Sequence, residues 1–215
     1  KPPYAMLRSL VGSEMCIRDR EKTMRPYCQF IKELSFTPET QDKLVEHIIA
    51  NKDNFAYTGT VPDKYGKTDW NWYCPKEFQP TELMDEVGKR FKVPVHYEIL
   101  GQTPWTVGKI HKDQYNPFVP RISVISLPIY PIDRSKIGPT KFWTIESGSY
   151  DDYDNAVFNN VYTATYETET AIIFNLQEYH SAMNETDDYR FHCQFSTDIP
   201  FDEIVKLYDS NQLFD

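Results

Sequence analysis

The chain has 215 residues, of which 40% are hydrophobic, 15% aromatic and 26% charged, and its formal net charge is −9. These shares are typical of a globular protein and exclude disorder, collagen and coiled coil. No apolar run approaches the roughly 18–20 residues that span a bilayer, and the acidic balance disfavours a nucleic-acid or anionic-membrane surface. The four cysteines contain no CxxC pair, which predicts reduced thiols in the cytoplasm and no structural zinc.

The first twenty residues are expected to lie outside the folded domain. The stretch from Leu10 to Asp19, LVGSEMCIRD, matches the translation of a transposase-type sequencing adapter. It lacks the continuous apolar core and small-residue cleavage site of a secretory signal. We therefore predict an adapter-derived leader over 1–20, from an environmental gene model, and one domain over 21–215. A natural leader is the alternative.

Two helices are predicted in the first part of that domain. Thr37 can cap a helix that has Pro38 at its first position, and apolar residues then recur at helical spacing to about residue 52. A second helix is predicted over 80–91. The region 53–79 is rich in Gly, Pro, Asp and aromatic residues, which indicates loops or short strands.

The character of the sequence changes after residue 95. Short runs rich in β-branched and aromatic residues, separated by turn residues, predict about eight strands, followed by a closing helix over 201–208. The runs cover 95–100, 106–110, 121–129, 141–145, 161–166, 170–175, 179–183 and 189–195. The predicted fold class is mainly β (α+β): a jelly roll or barrel with flanking N-terminal helices.

Three side chains have the spacing of a metal site. His111 and Asp113 form an HxD at the end of a predicted strand, and residues i and i+2 of an extended chain point to one face. His180 comes much later, after the apolar strand that ends at Asn175. Two histidines and one carboxylate brought together across a barrel form the facial triad that holds Fe(II) and leaves positions open.

A buried cation is predicted close to that triad. Arg190 follows His180 by ten residues on the next strand, and an antiparallel strand leaving a hairpin returns past its partner. A guanidinium there can bind a carboxylate with a planar fork and stays charged when desolvated. The alternative is a salt bridge to Asp187 or Asp188.

The joint pattern of HxD, distant His and Arg ten residues on resembles the double-stranded β-helix (cupin-like) Fe(II)/2-oxoglutarate-dependent oxygenases. The phrases PRISVISLPIYP and AIIFNLQEYHSAMNETDDYRFHCQF are similar to small phage and bacterial members and to the aspartyl/asparaginyl hydroxylase-like branch. The resemblance covers about 95–198. It implies that His111, Asp113 and His180 are iron ligands and that Arg190 anchors 2-oxoglutarate. Many members of the hydroxylase-like branch lack the carboxylate that Asp113 supplies here, which leaves the substrate branch open.

Three further residues are candidates for the pocket, and the resemblance bears on the first of them, Arg121. Arg121 opens the strand after the HxD loop and is expected to bind substrate or co-substrate, the alternative being a solvated strand end. Tyr97 is a candidate hydroxyl donor to the co-substrate, against simple core packing. His192 shares the strand face of Arg190 and is either a pocket group or a satisfied barrel histidine.

The implied activity is hydroxylation of an unactivated C–H bond with Fe(II), 2-oxoglutarate and O₂, releasing succinate and CO₂. Two alternatives stay open: a non-catalytic jelly-roll binding or structural module, and a cupin-type metalloenzyme that does not use 2-oxoglutarate. The substrate class is a small molecule or a protein or peptide. The sequence does not determine the oligomeric state.

Overall fold

The computed structural model describes residues 27–32, 34–54, 56–58, 71–113, 121–166 and 170–215. The predicted leader over 1–20 lies outside the described residues. Among the residues described, no helix is long and apolar enough to cross a membrane.

Within these residues, three α-helices flank the sheets: α1 (Pro38–Asn51), α2 (Thr81–Gly88) and α3 (Phe201–Asp209). The start of α1 is as predicted, because Pro38 occupies the first turn and the Thr37 hydroxyl accepts a hydrogen bond from the backbone N–H of Thr40 at 3.3 Å. α2 is shorter than the predicted 80–91.

Eleven strands are present in the described part of the chain, all paired antiparallel. They are β1 (Cys28–Lys32), β2 (Ala56–Thr58), β3 (Asn71–Tyr73), β4 (His96–Gln102), β5 (Thr106–Val107), β6 (Ser123–Tyr130), β7 (Thr140–Ser147), β8 (Val157–Ala164), β9 (Thr170–Asn175), β10 (Tyr179–Asn184) and β11 (Arg190–Thr197). The large sheet has the order β1-β9-β6-β11-β4-β3-β2, and the small sheet has the order β5-β10-β7-β8. The prediction of a mainly β fold with flanking helices is confirmed.

The alternation of side chains divides the interior into two layers. Ile125, Leu127 and Ile129 of β6 pack in the cluster that joins the large sheet to the helices. Val124 lies on the other face of β6, in a cluster between the two sheets that includes Phe142 of β7. Because both faces of β6 are covered, seven of its eight residues are buried. The inter-sheet layer is where the polar cavity described below is found.

The strands differ from the predictions in several places, of which β8 (Val157–Ala164, predicted over 161–166), β1 and β5 are the clearest. β1 was not predicted, and it forms the edge of the large sheet by pairing with β9. The predicted strand 106–110 ends at Val107. Gly108 still donates one backbone hydrogen bond to the carbonyl of Ala182, but regular pairing with β10 is then lost until the isolated bridge between His111 and His180. The helix α3 begins directly after Pro200, and no side chain caps its N-terminus.

Candidate metal centre

The two histidines are placed side by side by their backbones. His111 donates its backbone N–H to the carbonyl of His180 at 3.0 Å, and His180 donates to the carbonyl of His111 at 2.8 Å. Two residues that exchange both hydrogen bonds across an antiparallel pair project their side chains to the same side. The ring centroids are accordingly 4.5 Å apart. This isolated pair of backbone hydrogen bonds therefore brings together two histidines that are far apart in the sequence.

Asp113 brings a carboxylate to the same point. Its backbone N–H donates to the carbonyl of Leu176 at 3.0 Å, which keeps the HxD segment against the end of β9. The Asp113 Oδ1 atom lies 3.2 Å from His111 Nε2 and 3.7 Å from His180 Nε2. The three potential ligand atoms all lie within 4.8 Å of one another, which is the separation that one shared ion requires.

Both imidazoles are oriented by the same local contact. The Nδ1 atom of His111 lies 2.7 Å from the carbonyl of Lys109, and the Nδ1 atom of His180 lies 2.9 Å from the carbonyl of Glu178. A carbonyl oxygen can only accept, so Nδ1 carries the proton in each neutral ring and Nε2 carries the lone pair. Both lone pairs are thus available to a metal, and the rings are held by the hydrogen bonds typical of metal-ligating histidines.

Arg121 stabilises the carboxylate. Its Nε donates to Asp113 Oδ2 at 2.9 Å, while its other nitrogens bond Glu98 and, at 3.0 Å, Gln194 Oε1. Burial raises the pKa of the Asp113 carboxyl, but the hydrogen bond that the protonated form of His111 donates from Nε2 and the charge of Arg121 outweigh this effect and hold the pKa well below its usual range. Asp113 is therefore ionised, with Oδ1 facing the histidines.

The two histidines differ in their electrostatic surroundings. Burial, helped by the neighbouring His111, lowers the pKa of His180 to about 4. Burial also lowers the pKa of His111, but the hydrogen bond and charge of Asp113 outweigh it, so the net shift is upward. The His111 ring is also the more exposed of the two, with 38% of its side chain accessible against 10% for His180. The open side of the centre is thus at His111.

Arg190 lies deep between the sheets, with 4% of its surface exposed. Its Nε donates to His192 Nε2 at 2.7 Å, and its Nη1 donates to Gln102 Oε1 and to the carbonyl of Met183, both at 2.9 Å. The guanidinium also lies over the ring of Tyr166, 5.8 Å from its centroid. Four side chains and backbone groups thus fix one buried cation.

No carboxylate of the described chain pairs with this arginine. Asp187, a predicted alternative partner, instead accepts from Trp105 Nε1 at 2.7 Å, and Asp188 accepts from the Tyr130 hydroxyl at 3.1 Å. Burial lowers the pKa of the guanidinium, and only the hydroxyl of Tyr166 acts in the other direction. A buried charge without a counter-ion is costly, and such groups are ordinarily paired.

One cavity connects the two features. It has a volume of about 110 Å³ and is lined by the three potential ligands at one end and by Arg190 at the other. Its further polar lining residues include Gln102, Ser126, Thr140, Tyr166, His192 and Gln194. This volume is smaller than the roughly 300–1,000 Å³ of pockets for drug-sized ligands. The cavity therefore suits an ion together with a small polar molecule.

Five of these six polar lining residues, all except His192, were missed by the sequence analysis, and Ser126 and Tyr166 show why. Ser126 is a polar residue inside the apolar run of β6, and that interruption was the available signal. Tyr166 lies beyond the end of β8, and nothing in its local sequence indicates that its ring enters the cavity. Its hydroxyl donates to Ser126 Oγ at 2.9 Å, within the interior.

The prediction for Tyr97 was wrong. Tyr97 pairs with Phe195 across β4 and β11, on the strand face that meets the helices, whereas Gln102 pairs with Arg190 on the cavity face. The Tyr97 hydroxyl donates to Asp85, and burial together with that carboxylate raises the pKa of Tyr97 to about 12. Arg121 does line the cavity, but it contacts the predicted ligand Asp113, away from Arg190.

The loop after β7 braces the segment that carries the HxD. Tyr153 is buried, and its hydroxyl accepts a hydrogen bond from the backbone N–H of Ile110 at 3.2 Å. The amino group of Lys109 lies 4.3 Å from the centroid of the Tyr153 ring, and that of Lys112 lies 4.5 Å from the centroid of the Tyr179 ring. The neighbouring acidic side chains Asp151, Asp152 and Asp154 are exposed.

The sequence matches no protein-family model and no curated protein. The structure is similar to the non-heme α-ketoglutarate-dependent epimerase SnoN from nogalamycin biosynthesis, with a TM-score of 0.50 and 8% identity over 85% of this chain and 82% of that chain. The fold is a double-stranded β-helix.

Two further solved structures were found at lower similarity. A prolyl hydroxylase from Trichoplax adhaerens, in complex with a hypoxia-inducible-factor peptide fragment, has a TM-score of 0.48 and 8% identity over 92% of this chain and 94% of that one. HygX from Streptomyces hygroscopicus, with nickel and 2-oxoglutarate bound, has a TM-score of 0.44 and 10% identity over 83% of this chain and 85% of that one. At these identities a likeness describes the fold and leaves the function to be argued from the site.

Proposed function

We propose that the protein is an Fe(II)- and 2-oxoglutarate-dependent dioxygenase that hydroxylates an unactivated C–H bond. The observation that carries the proposal is one cavity with a His-Asp-His cluster at one end and a buried arginine at the other. The arginine has no carboxylate partner among the described residues. A metal ion and a carboxylate ligand would satisfy the two ends together.

The donor set fits Fe(II). The Nε2 atoms of His111 and His180 and one oxygen of Asp113 would hold the ion on one face, which is the two-histidine, one-carboxylate arrangement that leaves coordination positions open. The second oxygen of Asp113 stays on Arg121, so the carboxylate would bind through Oδ1 without losing its other partner. The ring orientations that binding needs already exist in the fold.

The far end of the cavity fits a carboxylate. Arg190 bonds the carbonyl of Met183, which lies three residues along β10 from His180, a distance of about 10 Å at the usual rise per residue. A short dicarboxylic acid such as 2-oxoglutarate could therefore reach from the ion to the guanidinium. SnoN, whose fold is similar, is named as α-ketoglutarate-dependent, which supports the same choice.

When bound, the iron and 2-oxoglutarate would supply O₂ activation with release of succinate and CO₂. The chain itself contributes positioning. The carbonyls of Lys109 and Glu178 hold the imidazoles, Arg121 holds the carboxylate and the apolar wall of Val124, Phe174 and Leu176 excludes water. No described side chain is required as a general acid or base.

The finer assignments are also proposals. We infer a substrate that is a small molecule or a peptide and that approaches the centre from its open side, where the His111 ring is accessible. We also infer one domain over 21–215 and a cytoplasmic location. Support for the latter is that Cys28, Cys74 and Cys193 are buried free thiols.

The test is succinate formation by the purified protein. With Fe(II), O₂, 2-oxoglutarate and ascorbate as the reductant but no added substrate, we expect slow uncoupled turnover, with succinate measured by mass spectrometry. His111→Ala and His180→Ala should abolish it, whereas His96→Asn, a histidine outside the cavity, should leave it unchanged. A protein that binds neither Fe(II) nor 2-oxoglutarate would indicate a non-catalytic module. Oxidation that persists without 2-oxoglutarate would indicate a cupin-type metalloenzyme.

A further inference from the structure

His192 lies between Arg190 and a pair of hydroxyl groups. Its Nε2 is 2.7 Å from Arg190 Nε, and its Nδ1 is 2.9 Å from Ser126 Oγ. Ser126 Oγ is also 2.9 Å from the hydroxyl of Tyr166. All four residues line the cavity, and His192 is 4% exposed. A continuous chain of hydrogen bonds therefore runs from the guanidinium to the two hydroxyls.

The direction of each hydrogen bond follows from the chemistry of the donors. An arginine Nε–H can only donate, so His192 Nε2 must hold a lone pair. The ring proton of neutral His192 is then on Nδ1, which donates to Ser126 Oγ. Burial and the nearby positive charges of Arg190 and Arg134 lower the pKa of His192 well below its ordinary value, which agrees with a neutral ring.

One hydroxyl proton of the pair Ser126 and Tyr166 has no acceptor within the hydrogen-bond chain. Ser126 and Tyr166 have two hydroxyl protons between them and share one hydrogen bond, while the other acceptor position of Ser126 is taken by His192. One proton must therefore be donated outside the pair. Among the described residues, no group accepts it. We take the remaining acceptor to be the molecule that occupies the cavity beside Arg190.

We propose that His192 is a positioning residue for the co-substrate. As a neutral acceptor it fixes the Arg190 guanidinium through Nε. By donating to Ser126 it also turns the last hydroxyl proton of the Ser126–Tyr166 pair toward the ligand. The deep end of the cavity then offers donors only, so it selects an ionised carboxylate over an amide or an alcohol. This inference rests on the proposed function, because the ligand is taken to be 2-oxoglutarate.

The selectivity has a measurable consequence. An amide in place of the distal carboxylate would bring its own N–H groups against Arg190 and the hydroxyl proton. We expect 2-oxoglutaramate, the distal amide of 2-oxoglutarate, to bind at least about a hundredfold more weakly, since a polar group left unpaired in a buried site is strongly rejected.

The test uses two substitutions and calorimetry on the full chain loaded with Mn(II). His192→Leu removes both the acceptor for Arg190 and the donor to Ser126. We expect the Kd of 2-oxoglutarate to rise about ten- to a hundredfold and the Kd of Mn(II) to change less than about twofold. His192→Gln keeps an acceptor and a donor at the end of a side chain of similar reach, so we expect it to bind 2-oxoglutarate within about threefold of the original protein.

The outcomes separate this inference from the proposed function. If the original protein binds 2-oxoglutarate and His192→Leu binds it equally well, the positioning role is overturned and the proposed function stands. Equal losses in the Gln and Leu variants, accompanied by equal drops in melting temperature, would show that His192 only fills space and would also overturn it. If the original Mn(II)-loaded protein does not bind 2-oxoglutarate, both are overturned.

Discussion

Asp113→Asn should abolish metal binding while leaving the fold intact. The Nε–H of Arg121 points at Oδ2 from 2.9 Å, so the new amide must turn its oxygen to Arg121. Its NH₂ group then faces the Nε2 lone pairs of His111 and His180. In the original protein these Nε2 atoms lie 3.2 and 3.7 Å from Asp113 Oδ1. The proposed metal ligand is replaced by a donor that satisfies the same two histidines internally.

The change in stability without metal should be small. The bond to Arg121 loses the charge of its acceptor, and the difference between charged and neutral hydrogen bonds is about 1 kcal/mol. A new hydrogen bond from the introduced amide to the imidazoles returns about 0.5–1.5 kcal/mol. The two effects nearly cancel, so the melting temperature of the metal-free variant should stay within about 4 °C of the original.

The response to metal should differ clearly. An ion present at a hundred times its Kd stabilises the protein that binds it by about 2.7 kcal/mol, which for this chain length raises the melting temperature by about 5–11 °C. Scanning calorimetry with and without Mn(II) measures both effects. We expect the rise in the original protein and none in Asp113→Asn. An equal rise in the variant would refute Asp113 as a ligand, and a metal-free variant that is unfolded would refute the hydrogen-bond exchange.

Three other predictions follow from the buried groups. Arg190→Met should weaken 2-oxoglutarate binding by about thirtyfold or more with Mn(II) binding unchanged, as measured by calorimetry; equal affinity in the variant would contradict the anchoring role. Burial raises the pKa of the Cys28 and Cys74 thiols to about 12 and that of Cys193 well above its usual range. At pH 8 these thiols stay protonated, so peptide mapping after maleimide treatment should find them unlabelled until the protein is denatured; rapid labelling in the native state would contradict the packing. Phe142→Ala, which empties a fully buried position between the sheets, should lower the free energy of unfolding by about 3–5 kcal/mol in a urea titration, and a loss under about 1 kcal/mol would contradict that packing.

The placement of His111 and Asp113 on one side of the chain could be predicted from the sequence because it depends only on local geometry. His111 and Asp113 lie two residues apart, and alternation along an extended chain puts them on one side without knowledge of the partner strand. Arg190 was readable because a hairpin returns it past His180. The sequence did not predict which strands pair with one another, and the incorrect or missing predictions are those that depend on this pairing.

Tyr97 illustrates why the direction of a side chain on a strand could not be predicted from the sequence. Its face depends on how β4 registers with β11, and the pairing of Gln102 with Arg190 places Tyr97 on the helix side. A shift of one residue would have exchanged the faces, and no local signal fixes it. The cavity position of Tyr166 and the existence of β1 were missed for the same reason, because both depend on contacts with segments that are distant in the sequence. Ser126 was visible only as a polar interruption of an apolar strand.

The position of a bound ion tests the proposed metal and co-substrate sites most directly. Crystals grown with Mn(II) and 2-oxoglutarate would be measured by anomalous diffraction. We predict one strong peak about 2.0–2.3 Å from His111 Nε2, Asp113 Oδ1 and His180 Nε2, with the distal carboxylate of 2-oxoglutarate against Arg190. A peak that shares no ligand with these three side chains, or a ligand carboxylate that lies away from Arg190, would contradict it.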